Sequence, residues 1–168
     1  MRVYIPATLA MLQRLVAEGS LRPVNGTAFA VTPRLREAYA EGDDDELAEV
    51  ALRDAALASL RLLAGAGDVA GDNLPRRRAV LVADADDVTL RPDLDDAVVR
   101  LGGPISTGRI VAAFVDNAAA EPAVTAAIEA VDAADLGDED AELLVGDAQD
   151  HDLAWYATQE LPFLLDLL

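Results

Sequence analysis

The chain has 168 residues, no cysteine, one histidine and a formal charge of −18, and all 13 of its basic residues are arginine. Disulfide frameworks, thiolate catalysis, cysteine-based zinc sites and any mechanism that needs a lysine of its own are therefore excluded. So acidic a chain repels nucleic acid and anionic membranes, since phosphate binding rests on arginine and lysine neutralising charge.

The length fits one domain, residues 1–168, able to bury roughly 70% of the surface its unfolded form exposes. No apolar run approaches the ~20 residues of a membrane span. Pro6, Gln13 and Arg14 interrupt the first apolar region, which is unlike a signal peptide, so a cytoplasmic protein is expected.

In chain order, Arg2 to Pro6 reads as a strand and Ala7 to Gly19 as a helix, with Leu9, Leu12, Leu15 and Val16 at helical spacing, Thr8 as N-cap and Gly19 as C-cap. Ser20 to Gly26 is a loop, with turn chemistry at Asn25-Gly26. Thr27 to Thr32 alternates as a second strand. Thr32 and Pro33 then open a short helix, and Asp43 with Glu46 has capping-box spacing for a long one. The acids Asp43 to Glu46 suit a helix N-terminus and point in different directions around the axis, which speaks against a metal site.

Projected at 100° per residue, this helix has two apolar faces. Leu47, Val50, Ala51, Ala58 and Leu62 form one, and Leu52, Ala56, Leu60 and Leu63 the other. It should pack between a sheet and other helices, or present its second face to another copy of the chain. Asp54 and Arg61 fall inside the first face, seven residues and about 10 Å apart. They are candidate binding residues, with structural ion pairing or an arginine head reaching water as the plain alternative.

Gly65 to Arg78 is a glycine-rich linker. Its Gly65, Gly67 and Gly71 miss the dinucleotide fingerprint by one residue of spacing and follow a helix instead of a strand. Arg76, Arg77 and Arg78 are the densest basic cluster, a candidate anion site or an answer to surrounding acid.

Ala79 to Ala83, AVLVA, reads as a central strand that empties into Asp84-Ala85-Asp86-Asp87. This resembles the first motif of haloacid-dehalogenase-like phosphotransferases. The resemblance implies Asp84 as nucleophile and Asp86 as acid-base of a metal-dependent phosphoesterase; acids after a strand are also ordinary turn chemistry. A calcium loop from Asp84 fails because Val88 stands at a ligand position. Asp96 to Leu101 is a short strand turning at Gly102-Gly103-Pro104, and Ser106 lacks the glycine a nucleophile elbow requires.

Arg109 to Asp116 is a clear strand, and Asp116 or Asn117 should cap a helix from Glu121 to about Ala134. Gly137 to Gly146 adds an acidic turn of helix. His151 to Ala157 forms a last strand, and Thr158 caps a leucine-rich terminal helix. His151, between Asp150 and Asp152, is a candidate base or a bystander. A strand, a threonine and a helix thus recur at Val3 to Leu12, Phe29 to Tyr39 and Trp155 to Leu165.

Three stretches, MRVYIPATLAML, FAVTPRLREAYAEGDDDELAEVALRDAALASLRLL and DHDLAWYATQEL, together resemble a family of small actinobacterial proteins with no assigned function. The resemblance implies a cytoplasmic bacterial protein and transfers no catalytic residue.

The expected fold is one α/β domain with a mixed sheet of about five strands and packed helices, or an α+β two-layer sandwich with all helices on one face. A hairpin around Gly102 would make the sheet partly antiparallel. Without a credible nucleophile or cofactor motif, the leading expectation is a non-catalytic binding or interaction protein, a homodimer or a partner of another protein. The alternatives are the phosphoesterase using Asp84 and Asp86 and an acidic protein that captures a basic partner.

Overall fold

The computed structural model describes residues 1–66 and 74–168; Gly67 and Gly71 of the near-fingerprint lie outside the described residues. β1 (Arg2–Ala7) leads into α1 (Leu9–Glu18), where the Thr8 hydroxyl accepts the Met11 N–H at 3.2 Å and Gly19 ends the helix with φ of 79°. A two-residue strand, β2 (Ser20–Leu21), and a 3-10 turn over Val24–Gly26 follow. Gly26 is required there: its φ is 69°, and an added Cβ would sit 2.8 Å from the Leu101 carbonyl oxygen. β3 (Thr27–Phe29) then gives way to α2 (Pro33–Ala38), capped by Thr32, whose hydroxyl accepts the Leu35 N–H at 3.1 Å and itself donates to the Asp96 carbonyl.

The long helix is α3 (Asp44–Ala66), opened by the Asp43 carboxylate accepting the Glu46 N–H at 2.9 Å. After it come β4 (Ala79–Asp84), β5 (Val88–Leu90), β6 (Val98–Leu101), β7 (Ile105–Ser106) and β8 (Ile110–Val115). The chain finishes with α4 (Glu121–Asp135), α5 (Glu139–Gln149), β9 (Ala154–Ala157) and α6 (Leu161–Asp166).

Seven strands form one sheet in the order β5-β6-β3-β1-β4-β8-β9, while β2 and β7 pair separately. Every pairing in both sheets is antiparallel, so the mixed sheet expected from the sequence is corrected to an antiparallel one. The single mixed α/β domain expected from the sequence is present, with nine strands among the described residues where about five were expected. β2, β5 and β7 have two or three residues each, too short for a period-2 pattern to show. The turn at Gly102 is not a hairpin of the main sheet: it carries the chain from β6 out to β7 and the small ribbon.

Side-chain alternation divides the core. Val3, Ile5 and Leu81 pack on one face of the sheet with Leu12 and Leu15 of α1 and Leu161 of α6. Phe29 and Val80 pack on the other face with Leu47, Ala51 and Ala55 of α3. Farther along α3, Leu60 meets Val124, Ala127 and Val131 of α4 and Ala148 of α5. Helices therefore cover both faces, and the two-layer sandwich is overturned. Both apolar sides of α3 are satisfied within the chain, and none of its large apolar side chains is among the exposed ones. Each fully buried leucine of this helix contributes roughly 1.5–3 kcal/mol.

Ser59 fixes where α3 lies. Fully buried, its hydroxyl donates to the Ala7 carbonyl at 2.7 Å and accepts the Ala79 N–H at 3.0 Å, joining the helix to two residues that face each other across β1 and β4. Three local expectations need correction. α5 is an 11-residue helix capped by Asp138, longer than a single turn. Neither Asp116 nor Asn117 caps α4, because Asp116 is fully buried in an ion pair and Asn117 makes no capping bond. Thr158 opens a 3-10 turn, and its hydroxyl donates to the Ile110 carbonyl instead of capping α6.

Candidate functional site

Antiparallel register sets an arginine against an aspartate at each end of β4. Ala79 faces Val115, so Arg78 and Asp116, one step beyond, are brought opposite each other. Arg78 donates from Nε to Asp116 Oδ2 at 2.9 Å, from Nη2 to Oδ1 at 2.8 Å and from its backbone N–H to Oδ2 at 2.8 Å. Nη1 reaches Gln149 Oε1 at 3.0 Å and Nη2 also reaches the His151 carbonyl at 2.8 Å. The two side chains are 1% and 0% exposed. This network ties β4, β8, the end of α5 and the approach to β9 into one corner.

At the other end Arg2 faces Asp84 in register and binds its carboxylate at 3.0 Å. That hydrogen bond, with the nearby N-terminus and Arg109, holds the Asp84 carboxyl below its ordinary range despite its exposure. Arg109 donates to the Asp84 carbonyl at 2.8 Å and pairs with Asp86 at 2.7 Å. These residues border a cavity of about 300 Å³ with Asp87, Gly102 and Ser106. Six residue steps of extended chain separate Asp84 from Arg78, about 20 Å. His151, bonded to Arg78, is therefore at the opposite end of the strand from Asp84 and Asp86, and the three do not converge.

The basic cluster fans apart. Arg78 is consumed by Asp116, and Arg77 lies 3.6 Å from Glu121 with a buried Nε that makes no hydrogen bond. Arg76 is partly buried. Arg61 turns outward to Asp135 of α4 at 2.8 Å, both exposed, so it does not share a site with Asp54. Asp54 is half-buried; burial first, then Asp95 and Asp96, pushes its carboxyl up to about 6 against the pull of Arg53.

A second concave surface runs between the first half of α3 and the β8–β9 edge. One part, about 340 Å³, has Tyr4, Leu52, Val82, Val111, Phe114 and Trp155 in its lining. It continues past Glu49 and Leu52 into a second part of about 550 Å³, bordered by Glu46, Val50, Arg53, Arg78, His151, Asp152 and Leu153. The register explains the apolar floor: Phe114 faces Trp155 across β8 and β9, Phe114 packs against the α3 cluster, and Trp155 beyond it stays open. Trp155 remains 58% exposed and Val111 39% exposed. Burial against this surface pushes the Tyr4 phenol up, with Arg2 opposing.

Of the residues singled out from sequence, His151 borders this groove, and Arg78 does so with its charge already answered. Trp155, Phe114, Val111 and Tyr4 were not singled out. The one available signal was Trp155-Tyr156 in an uncharged strand, since adjacent strand residues point to opposite faces and one of two large aromatics had to leave the core.

Among the described residues, no group of three or more acidic or histidine side chains is arranged to hold a metal ion, and no helix is long and apolar enough to cross a membrane. Comparison with curated proteins and with solved structures gives no match. A family model matches residues 1–165. With that match over nearly its whole length, the chain belongs to the family of unknown function DUF6912.

Proposed function

We propose that this chain is a non-catalytic interaction domain that docks another protein in the groove between α3 and the β8–β9 edge. The observation that carries this reading is Trp155, more than half exposed over an apolar floor beside a sheet edge. Tryptophan combines large apolar area with few rotatable bonds and is enriched among residues that dominate binding energy. Among the described residues that border the groove, His151 has no serine or cysteine beside it to activate. A cytoplasmic location and an actinobacterial source, the latter from the three-stretch resemblance, are part of this proposal.

Self-association is the second reading, favoured by the end of the chain, where Phe163 of α6 and Leu167 at its C-cap are 72% and 85% exposed four residues apart. The long helix gives it less support, since Leu60 and Leu63 of its second face pack with α4 and α5. To test docking, a photo-crosslinking amino acid is placed at position 155 in the producing cell, with position 86 as control. A discrete adduct with another protein from 155 and none from 86 is the expected result. Adducts of twice the chain mass from position 163, with none from 155, would establish the dimer instead.

A further inference from the structure

We infer that the groove's occupant is an extended, cationic segment of a partner protein that adds a strand to β9 and lays apolar side chains beside Trp155. The inference rests on the docking reading above and names the chemistry of the partner.

β9 is the terminal strand of the seven. Exposed edges are ordinarily guarded by charge, proline or a bulge. The sequence of β9, AWYA, contains neither charge nor proline, and its register with β8 is continuous from Ala154 to Ala157. The opposite edge is different: β5 runs between Asp87 and Arg91, the latter paired with Asp93 at 2.8 Å. Backbone pairing would supply affinity at β9 as it does in other strand-addition complexes. The Ala157 N–H is already taken by the Glu160 carboxylate at 3.1 Å, which leaves the Trp155 end of the strand for the addition.

Alternation sets what the added strand must carry. Every second side chain would project to the α3 side, beside Trp155 at the outer end of the apolar floor, so apolar residues belong there. The rim sets the charge. Glu46, Glu49 and Asp152 border the groove and make no ion pair among the described residues, while Arg78 is answered by Asp116 and Arg2 by Asp84. Arg53 offsets part of that negative charge. A second copy of the chain, itself at −18, would set these carboxylates against their own kind. An arginine- or lysine-bearing strand meets these exposed carboxylates with opposite sign, an attraction that added salt screens.

The test uses the full chain and a synthetic peptide of about eight residues alternating valine with arginine. Companion peptides alternate valine with serine or valine with glutamate, or carry a central proline in the valine–arginine frame. Trp155, the sole tryptophan, reports binding by fluorescence, with calorimetry as a second readout. The valine–arginine peptide should bind and lose affinity as salt rises. Trp155→Ala should weaken it about thirtyfold, the proline peptide should fail, and Glu49→Gln with Asp152→Asn should flatten the salt dependence. Both altered sites are on the surface, so circular dichroism should confirm intact folding. Equal binding of the valine–serine peptide would overturn the cationic class while leaving the docking reading intact. Failure of all four peptides would overturn strand addition, and the crosslink from position 155 then judges the docking reading by itself. A dimer that buries Trp155 would overturn the whole inference.

Discussion

Replacing Asp116 with alanine probes the corner on which both sheet and groove depend. Asp116 accepts three N–H groups of Arg78, at 2.8, 2.8 and 2.9 Å, and the arginine side chain is 1% exposed. The substitution leaves a guanidinium buried with Gln149 and the His151 carbonyl as its remaining acceptors. Removing one partner of a buried pair costs about 3–5 kcal/mol, a large share of the roughly 5–15 kcal/mol that stabilises a domain. For a chain of this size, about 2–4 °C per kcal/mol puts the expected loss of Tm at roughly 6–20 °C. Urea and thermal melts followed by circular dichroism measure it. The double substitution Arg78→Met with Asp116→Leu should lose less than Asp116→Ala alone, because it removes the stranded charge. A loss below about 1 kcal/mol for Asp116→Ala, the scale of an exposed pair, would refute the reasoning by showing that water reaches Arg78.

Three further outcomes are expected. Ser59→Ala should destabilise by about 1–3 kcal/mol, because the Ala7 carbonyl and Ala79 N–H lose their shared buried partner; an unchanged urea midpoint would show that α3 does not need the bridge. Asp54, raised from 3.8 to about 6 by burial first and then by Asp95 and Asp96, binds its proton more tightly folded than unfolded. Stability therefore falls as pH rises from about 4 to about 6 and the cost persists above it, so Asp54→Asn should stabilise at pH 7 by on the order of 1 kcal/mol after solvent screening, and less at pH 4; equal effects at both pH values would contradict this. With Asp84 held by Arg2 and Asp86 by Arg109, no magnesium- or manganese-dependent turnover of p-nitrophenyl phosphate is expected; turnover lost in Asp84→Asn would establish the phosphoesterase instead.

Local chemistry was legible where a signal sits within a few residues. Thr8, Thr32 and Asp43 cap the helices they were expected to cap, because an N-cap needs a hydroxyl or carboxylate and a backbone three positions on. The third strand–threonine–helix junction broke that pattern: Thr158 lies against β8, and the Ile110 carbonyl competes for its hydroxyl. Pairings between distant segments were not legible. Arg78 read as part of a basic cluster and Asp116 as a cap, and their union follows from the β4–β8 register, which no local window contains. Asp84 and Asp86 read as a reactive pair because Arg2 and Arg109 are far away in sequence and near in space. The groove was hidden for the same reason, since its lining comes from β1, α3, β4, β8 and β9, segments far apart in the chain.

Amide-resolved chemical-shift mapping of the isotopically labelled chain, titrated with the valine–arginine peptide, tests most directly whether the α3–β9 groove is the working surface. Shifts should concentrate on Leu153, Trp155, Val111, Glu49 and Leu52, with the Trp155 indole among the largest. Shifts centred on Asp84, Asp86 and Arg109, or none at saturating peptide, would contradict it.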